Sequence, residues 1–425
     1  MKLFVSLLFF YCIIITANAQ RVCAVAEYSK KQLQSNPTLA AAYQAVEDHI
    51  YNTLHAPSAS RDTAANELIM IPVVVHILYK SSDQNISDAQ VKSQIDVLNK
   101  DYRRLNADTV NTPAVFKTFA GDVHIKFCLA QVDPDSRRTN GIVRRHTNSD
   151  YFEADDAMKY SAQGGDNAWD SKKYLNIWIC NLGSRLLGYA APPGGPAERD
   201  GVTINFDAFG TVGNLRPVFN KGRTATHEIA HWLGVKHIWG DDNCGDDGVD
   251  DTPKQQYYNY YCPAFPHVSP CSPNGNGDMF MNFMDFTDDA CMNEFTNGQK
   301  RRMRALFATG GPRNSFLSAS ACDSSQAQGG PIGDDGSADK GTDVKPVDPV
   351  KVYPNPTADM ISITCKTAET IVGKTLNVYN MMGTLVLTQQ LKTAENKISL
   401  RQLPQGAYII RIDTDKKTAV TIVRL

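Results

Sequence analysis

The stretch His227-Glu-Ile-Ala-His-Trp-Leu-Gly-Val-Lys-His237 places three histidines in a pattern that suits a single metal ion. His227 and His231 are four residues apart, so on a helix both imidazoles face the same side, one turn apart. Gly234 can adopt the left-handed conformation that ends a helix, and His237 then arrives as a third ligand. Three imidazoles and an open fourth position are typical of a catalytic zinc site, because structural zinc sites are closed by four protein ligands.

Glu228 follows the first of these histidines and is predicted to be the general base. A zinc ion bound here would polarise a peptide carbonyl and activate water, and Glu228 would pass the proton to the leaving amine. The alternative is an ordinary amphipathic helix with surface histidines, but the added glycine and third histidine make the pattern much rarer by chance. The sequence therefore predicts hydrolysis of peptide bonds without a covalent intermediate.

The composition is that of a soluble globular protein. The chain has 425 residues, 42% of them hydrophobic and 21% charged, with a formal net charge of −2. A chain of this length is expected to fold into two or more units. The nearly neutral charge argues against a nucleic-acid-binding protein and against a surface strongly attracted to membranes.

The N-terminus predicts export. Residues 1–19 combine Lys2, an apolar run and the sequence Ala17-Asn-Ala19, which indicates a cleaved secretory signal peptide. A membrane anchor is the weaker alternative, because the run is too short to span a bilayer comfortably. Disulfides can form in an exported protein. Of the ten cysteines, Cys12 leaves with the signal, so at least one of the odd number that remains is unpaired.

Patterning then divides the chain into a mixed α/β region and an all-β region. Residues 20–60 are polar and helix-prone and are interpreted as a pro-segment, and the apolar run Leu68–Tyr79 predicts a buried strand in which His76 is a core residue. The other predicted elements are a helix at 88–105 opened by a capping box at Ser87–Gln90, strands at 122–131, 174–180 and 201–206, an edge strand within 186–194, a helix at 220–237, an irregular region at 238–295 and a helix opened by a capping box at Thr296–Gln299.

The last hundred residues predict a separate unit. Residues 323–349 have almost no large apolar side chains and are interpreted as a linker. From residue 350 to residue 425, alternating apolar and polar residues separated by turns indicate a small all-β sandwich.

Three segments of the first region resemble a known family. His227–Gly240, Cys244–Gln255 and Met281–Met303 are similar to the corresponding parts of the pappalysins, a family of metzincin metallopeptidases, and in particular to its short microbial members. The resemblance covers about residues 21–320. It implies an α+β catalytic domain, residues 61–322, with a five-stranded sheet and helices above a cleft and a smaller irregular part below it.

The resemblance also assigns roles around the cleft. Met284 would form a hydrophobic floor under the metal, and the strand at Gly188, Tyr189 and Ala190 would bind substrate by strand addition. Where the family commonly carries a tyrosine two residues after the methionine, this chain has Phe286, which lacks a hydroxyl.

Family members also bind calcium and carry disulfides in the lower part. One or two structural calcium ions are expected, because a loop with clustered carboxylates suits a cation that prefers oxygen ligands. A solvated acidic loop that binds no ion is the alternative. The residues expected at this calcium site are Asp247, Val249, Asp250, Asp251 and Thr252. Four cysteines allow three pairings, and only the resemblance selects Cys244–Cys271 and Cys262–Cys291.

Latency and specificity are further implications. Arg21-Val-Cys23 resembles a cysteine switch, in which the Cys23 thiolate binds zinc in the zymogen, although Ala24 replaces the usual glycine and a disulfide partner is the alternative. Microbial members cut before arginine, which makes autolysis near Ser60-Arg61 plausible. Asp288 or Asp289 is the candidate partner of the substrate arginine.

The C-terminal unit has its own resemblance. Val352-Tyr-Pro-Asn-Pro356, the segment LPQGAYIIRI and the final strand are similar to the type IX secretion sorting domains of Bacteroidetes. This implies export by the outer-membrane type IX machinery of a Gram-negative bacterium, with extracellular proteins or peptides as substrates and a monomeric mature form. An adhesin or binding protein that keeps the protease fold with little catalysis is the alternative from another functional class.

Overall fold

The computed structural model describes residues 21–56, 67–272, 275–327, 351–354, 356–364, 371–380, 384–412 and 418–424. The chain forms two compact units, Met1–Ser337 and Ala338–Leu425. The predicted signal peptide, the processing site at Ser60-Arg61, most of the linker and Cys365 lie outside the described residues. Within the described ranges, no helix is both long enough and apolar enough to cross a membrane.

The first unit contains five helices and six strands among its described residues. In chain order these are α1 (Val25–Ser35), α2 (Pro37–His55), β1 (Ile69–Tyr79), α3 (Asp88–Asp101), β2 (Ile125–Leu129), β3 (Ile142–His146), β4 (Leu175–Cys180), β5 (Gly188–Ala190), β6 (Val202–Asn205), α4 (Arg223–Trp232) and α5 (Asn297–Ala305).

A mixed sheet is the core of this unit. Its strand order is β2-β1-β4-β6-β5, and β3 also pairs with β1, so the sheet has six strands where the family resemblance implies five. Strand β1 is parallel to β2, β3 and β4, and β4 is parallel to β6. Only β5, at the edge, is antiparallel to its neighbour β6. The apolar run of β1 is buried on both faces, as its sequence predicts.

Helix α3 is shorter than the predicted helix at 88–105. It ends at Asp101 because Arg104 adopts a left-handed conformation (φ 49°) and the Leu105 amide donates to the Lys100 carbonyl, a typical helix-terminating bond. Leu105, the last residue of the predicted helix, therefore lies beyond the end of α3 and is 66% exposed.

Two other local predictions differ from the structure. The Ser87 side chain accepts from the Gln90 amide, but the Gln90 side chain donates to the Phe206 and Phe209 carbonyls, so only half of the predicted capping box forms. Strand β3 was not predicted, because its sequence Ile-Val-Arg-Arg-His has too few apolar residues to show a period.

The helices around the metal-binding motif are set by their ends. Helix α4 spans ten residues rather than the predicted 220–237, because Gly222 (φ 75°) precedes it and Gly234 (φ 77°) turns the chain after it. Helix α5 begins with both bonds of the capping box formed by Thr296 and Gln299.

Between α4 and α5 the described residues form no α-helix, no 3-10 helix and no strand, as the composition of 238–295 predicts. Disulfides hold this region, Cys244–Cys271 and Cys262–Cys291, which are the two pairs that the resemblance implies. A third disulfide, Cys128–Cys322, joins β2 to the end of the unit.

The second unit consists of two antiparallel sheets around an apolar core. Its strands are β7 (Lys351–Tyr353), β8 (Met360–Thr364), β9 (Thr375–Asn380), β10 (Leu385–Gln390), β11 (Glu395–Ser399), β12 (Gly406–Ile412) and β13 (Thr418–Arg424). The sheets have the orders β10-β9-β12-β13 and β11-β8-β7. The buried side chains between them include Ile361, Ile363, Leu376, Val378, Ile398 and Ile410.

Candidate active site

Helix α4 and the turn after it bring the three histidines of the motif together. His231 Nε2 lies 3.1 Å from His227 Nε2 and 3.0 Å from His237 Nε2. Nitrogens bound to one tetrahedral zinc at about 2.0–2.1 Å would be roughly 3.4 Å apart, so the three rings fit that ion with little movement. Burial lowers the pKa of His227 well below its usual value and that of His231 to about 3, which favours the neutral, ligating form.

The other nitrogen of each ring has a protein partner that orients it. His227 Nδ1 pairs with the Phe283 carbonyl at 2.7 Å, and His231 Nδ1 pairs with the Val235 carbonyl at 2.8 Å. His237 Nδ1 pairs with a carboxylate oxygen of Asp241. Each Nδ1 therefore carries the proton, and each Nε2 offers its lone pair to the common point.

Cys23 from the N-terminal segment completes the cluster. Its Sγ and one nitrogen from each of His227, His231 and His237 all lie within 4.8 Å of one another. In the part of the chain that the structure describes, no other group of three or more histidine, cysteine, aspartate or glutamate side chains converges in this way. Cys23 forms no disulfide.

The segment that carries Cys23 runs along the edge strand β5. Cys23 pairs in parallel with Gly188, the Leu187 amide donates to the Val22 carbonyl, and the Ala24 amide donates to the Gly188 carbonyl. The edge of β5 that the resemblance assigns to substrate is thus covered by residues 22–24. The Tyr189 side chain is buried, and its hydroxyl donates to Asp156.

Glu228 is buried beside the cluster. Burial raises the pKa of its carboxyl to about 8, and the Cys23 thiol donates to its Oε2 at 3.4 Å. A side chain at Gly188 would meet Glu228 Cγ at 3.0 Å, so the glycine makes room for this carboxylate.

Arg21, two residues before Cys23, occupies a buried pocket with an acidic end. Its guanidinium forms an ion pair with Asp289 Oδ1 and donates to the Thr287 carbonyl and the Thr224 hydroxyl, both at 3.3 Å. The second oxygen of Asp289 accepts from the backbone amides of Lys221 and Arg223. Of the two candidate carboxylates, Asp289 therefore contacts the arginine in this pocket.

The methionine turn supports the motif from below. Met284 is fully buried, and its carbonyl accepts from the Ile238 amide at 3.3 Å. The ring of Phe286 lies 5.0 Å from that of His237 and 5.2 Å from that of Tyr258, centroid to centroid. Phe286, which stands where the family commonly has a tyrosine, therefore packs among aromatic rings.

The acidic loop is compact but brings no three carboxylates together. Asp247 Oδ1 accepts from the Val249 amide at 3.1 Å and from the Thr252 hydroxyl at 3.0 Å, and burial raises the pKa of Asp247 to about 7. Asp251 Oδ2 accepts from the Gly298 amide, and its buried Oδ1 has no hydrogen-bond partner. Asp250 is exposed.

Sequence reasoning missed two residues of the site. Arg21 was noted only as part of the cysteine motif, and Asp241 was not noted at all. The signal for Asp241 is its place four residues after His237, whereas the Arg21–Asp289 pair joins residues 268 positions apart and leaves no local pattern.

Comparisons with known proteins agree with this geometry. Residues 158–308 match the family model described as Pregnancy-associated plasma protein-A, peptidase family M43, and residues 351–424 match that of the secretion system C-terminal sorting domain. An extracellular metalloprotease of Arthroderma benhamiae is 32% identical over 262 residues, which are 59% of this chain and 76% of that protein. One from Pyricularia oryzae is 30% identical over 298 residues, 67% and 88% of the two chains.

Solved structures show the same relationship. A promirolysin mutant of Tannerella forsythia is 45% identical, with a TM-score of 0.64 over 70% of this chain and 97% of that one. Mature mirolysin of the same organism, in complex with a cleaved peptide, is 50% identical, with a TM-score of 0.58 over 59% of this chain and 96% of that one. The chain therefore belongs to the pappalysin family, peptidase family M43: it is a secreted metalloendopeptidase of metzincin fold that ends in a type IX secretion sorting domain.

Proposed function

We propose that this metalloendopeptidase uses zinc held by His227, His231 and His237, cuts before arginine, and is made as a latent zymogen that Cys23 keeps inactive. The convergence of the three Nε2 atoms, 3.0 to 3.1 Å apart, supports the zinc site. The observation that carries the rest is the pro-segment itself, which presents a thiol to the cluster and an arginine to an acidic pocket two residues away.

Glu228 is proposed to be the general base. Bound zinc supplies Lewis-acid polarisation of the scissile carbonyl and of water. The Glu228 carboxylate takes the proton of the attacking water and passes it to the leaving amine. Glu228 is buried, and because Gly188 has no side chain there is room for its carboxylate beside the cluster.

Latency is proposed to follow from the course of the pro-segment. A Cys23 thiolate would fill the fourth ligand position of a bound zinc ion, the Cys23 Sγ lies 3.4 Å from Glu228 Oε2, and residues 22–24 cover the edge of β5. In the mature enzyme a substrate strand takes their place along Gly188 and Ala190. Release of the pro-segment after cleavage near Ser60-Arg61 would therefore make the fourth ligand position, Glu228 and the edge of β5 accessible at the same time.

The arginine preference is proposed to reside in Asp289. A buried carboxylate held by two backbone amides suits the planar guanidinium, and Arg21 places its guanidinium there, 5.2 Å from the centre of the Phe219 ring. Asp288, whose amide donates to the Tyr261 carbonyl, lies beside this pocket without bonding Arg21.

Calcium is proposed to bind the loop that contains Asp247, Val249, Asp250, Asp251 and Thr252. A buried carboxylate at Asp247 and an unpartnered buried oxygen at Asp251 favour a hard cation. Zinc-loaded enzyme should lose thermal stability with a calcium-selective chelator and regain it with added calcium. Indifference to both would refute this site.

The mature enzyme is proposed to be monomeric, which light scattering measures.

The central test is proteolysis of arginine-containing peptides by the full chain after an added protease has removed its pro-segment near Arg61, with Glu228→Ala processed in the same way as the control. We expect cleavage before arginine, and a loss of about a hundredfold or more in the variant with zinc content unchanged. Equal rates in the two proteins would refute the enzymatic role of Glu228 and favour a binding protein with the protease fold.

A further inference from the structure

A second contact of the pro-segment lies beyond the metal cluster and suggests a further substrate subsite. Tyr28 on α1 is 4% exposed, and its hydroxyl donates to Asp156 Oδ2 at 2.7 Å. Its ring lies 5.1 Å from the ring of Tyr189 on β5. We call the residues around this ring, namely Asp156, Lys159, Tyr189 and Arg199, the Tyr28 pocket.

The bottom of the Tyr28 pocket is a network of charged side chains in the part of the first unit that follows the pro-segment. Asp156 is 1% exposed, and its Oδ1 accepts from Lys159 at 2.9 Å and from the Tyr189 hydroxyl at 3.1 Å. Lys159 is also buried, with its ammonium 5.2 Å from the Trp178 ring and 5.0 Å from the Tyr189 ring. Although burial alone would raise it, Lys159 lowers the pKa of Asp156, so the carboxylate stays charged.

Departure of the pro-segment changes one side of this network. Asp156 Oδ2 then loses its short bond to Tyr28 and keeps only Arg199, whose Nη1 lies 3.4 Å away. Arg199 loses its bond to Gln32 of α1 at the same time. What is left is a carboxylate oxygen with one longer contact, next to an aromatic face that α1 no longer covers.

The position of the pocket relative to the cluster fixes which part of a substrate can reach it. Arg21 and Tyr28 lie on opposite sides of Cys23 along the pro-segment. If the residue after the scissile bond enters the Asp289 pocket, residues before that bond extend toward Tyr28. The Tyr28 amide bonds to the Ala24 carbonyl, one helical turn away, a distance that about two extended residues span.

We propose that the Tyr28 pocket is a subsite of the mature enzyme that binds a phenol side chain two to four residues before the scissile bond. The phenol donates to Asp156 and stacks on Tyr189. Phenylalanine would fill the same space but offer Asp156 Oδ2 no donor in place of the Tyr28 hydroxyl, and a lysine would meet the positive charges of Lys159 and Arg199. This subsite rests on the proposed cleavage before arginine.

The test uses peptides with one arginine and the full chain after removal of its pro-segment. Tyrosine, phenylalanine, O-methyltyrosine or lysine is placed at each of the second to fourth positions before the arginine. At one position tyrosine should exceed phenylalanine and O-methyltyrosine by about tenfold in kcat/KM, mostly through KM, because a hydrogen bond to a charged group is worth that much. Asp156→Asn should bring the ratio of tyrosine to phenylalanine toward one, while the surface variant Asp135→Asn keeps it.

The outcomes separate the two proposals. Cleavage before arginine with equal rates for tyrosine and phenylalanine at all three positions overturns the subsite and leaves the proposed specificity intact. If no peptide is cleaved, calorimetric binding of the same tyrosine and phenylalanine peptides decides the subsite, and equal affinities overturn it. Because wild-type protein alone gives the tyrosine to phenylalanine ratio, a variant that fails to fold does not affect the result.

Discussion

Cys23 and Cys180 are the free thiols among the described residues of the protein, and they offer a matched pair. Cys23 faces the histidine cluster, whereas Cys180 is buried in β4 away from it. Cys23→Ala should shorten the time needed for self-processing of the purified zymogen, because the fourth ligand position and Glu228 become available. Cys180→Ala should mature at the wild-type rate, as followed by gel electrophoresis. Equal kinetics in both variants would remove Cys23 from latency.

Asp289 and Asp288 form a second pair at this scale. Asp289→Asn should reduce kcat/KM for arginine substrates by about ten- to a hundredfold, since a charged hydrogen-bonding partner of the guanidinium is lost. The variant should also bind the separated pro-segment more weakly, because the same carboxylate holds Arg21. Asp288→Asn should change neither property. A retained arginine preference in Asp289→Asn would place the specificity elsewhere.

Single residues were predictable where the chemistry is local. The spacing of the three histidines and Gly234 follows from helix geometry, so the sequence indicates their convergence. The choice between Asp288 and Asp289 depends on which carboxylate turns toward Thr224 and the amides that open α4. No local pattern encodes that choice, and the sequence left both open.

At the scale of elements, strand β5 packs against Glu228, the proposed general base. A methyl group at Gly188 would lie 2.9 Å from the Thr203 carbonyl and 3.0 Å from Glu228 Cγ, closer than side-chain carbons normally approach. Gly188→Ala should therefore lower kcat by about ten- to a hundredfold through displacement of Glu228. Gly195→Ala is the control, because its nearest neighbour is the Tyr43 hydroxyl at 3.4 Å. Unchanged kcat would show that this contact is not tight in solution.

Elements were predictable to the extent that burial controls their pattern. Strand β1 has a continuous apolar run because both its faces are covered, whereas β3 is short and carries Arg144 and Arg145, which pair with Asp88 and Asp166. Its pairing with β1 depends on tertiary contacts that periodicity does not register. Similarly, α3 stops where Arg104 turns left-handed, and nothing in the apolar pattern marks that residue.

At the scale of the whole molecule, Cys128–Cys322 connects residues 194 positions apart and so closes most of the first unit into a loop. Loop-closure entropy gives such a link up to about 5 kcal/mol of stability. Cys322→Ser should lower the Tm of the first unit by several degrees, measured by calorimetry, and Cys128→Ser, which opens the same disulfide from its other end, should lower it by about the same amount. An unchanged Tm would mean that the reduced chain retains this closure by packing alone.

The proposed latency also depends on the effective concentration of the pro-segment at the site. While the chain is continuous, Arg21, Cys23 and Tyr28 face their partners at the high effective concentration of an intramolecular contact. One cut in the connecting peptide leaves every one of these contacts in place but turns the pro-segment into a separate ligand that can diffuse away. Dilution then drives activation, so a crowded secreting cell surface and the open medium would set different fractions of active enzyme from the same cleaved protein.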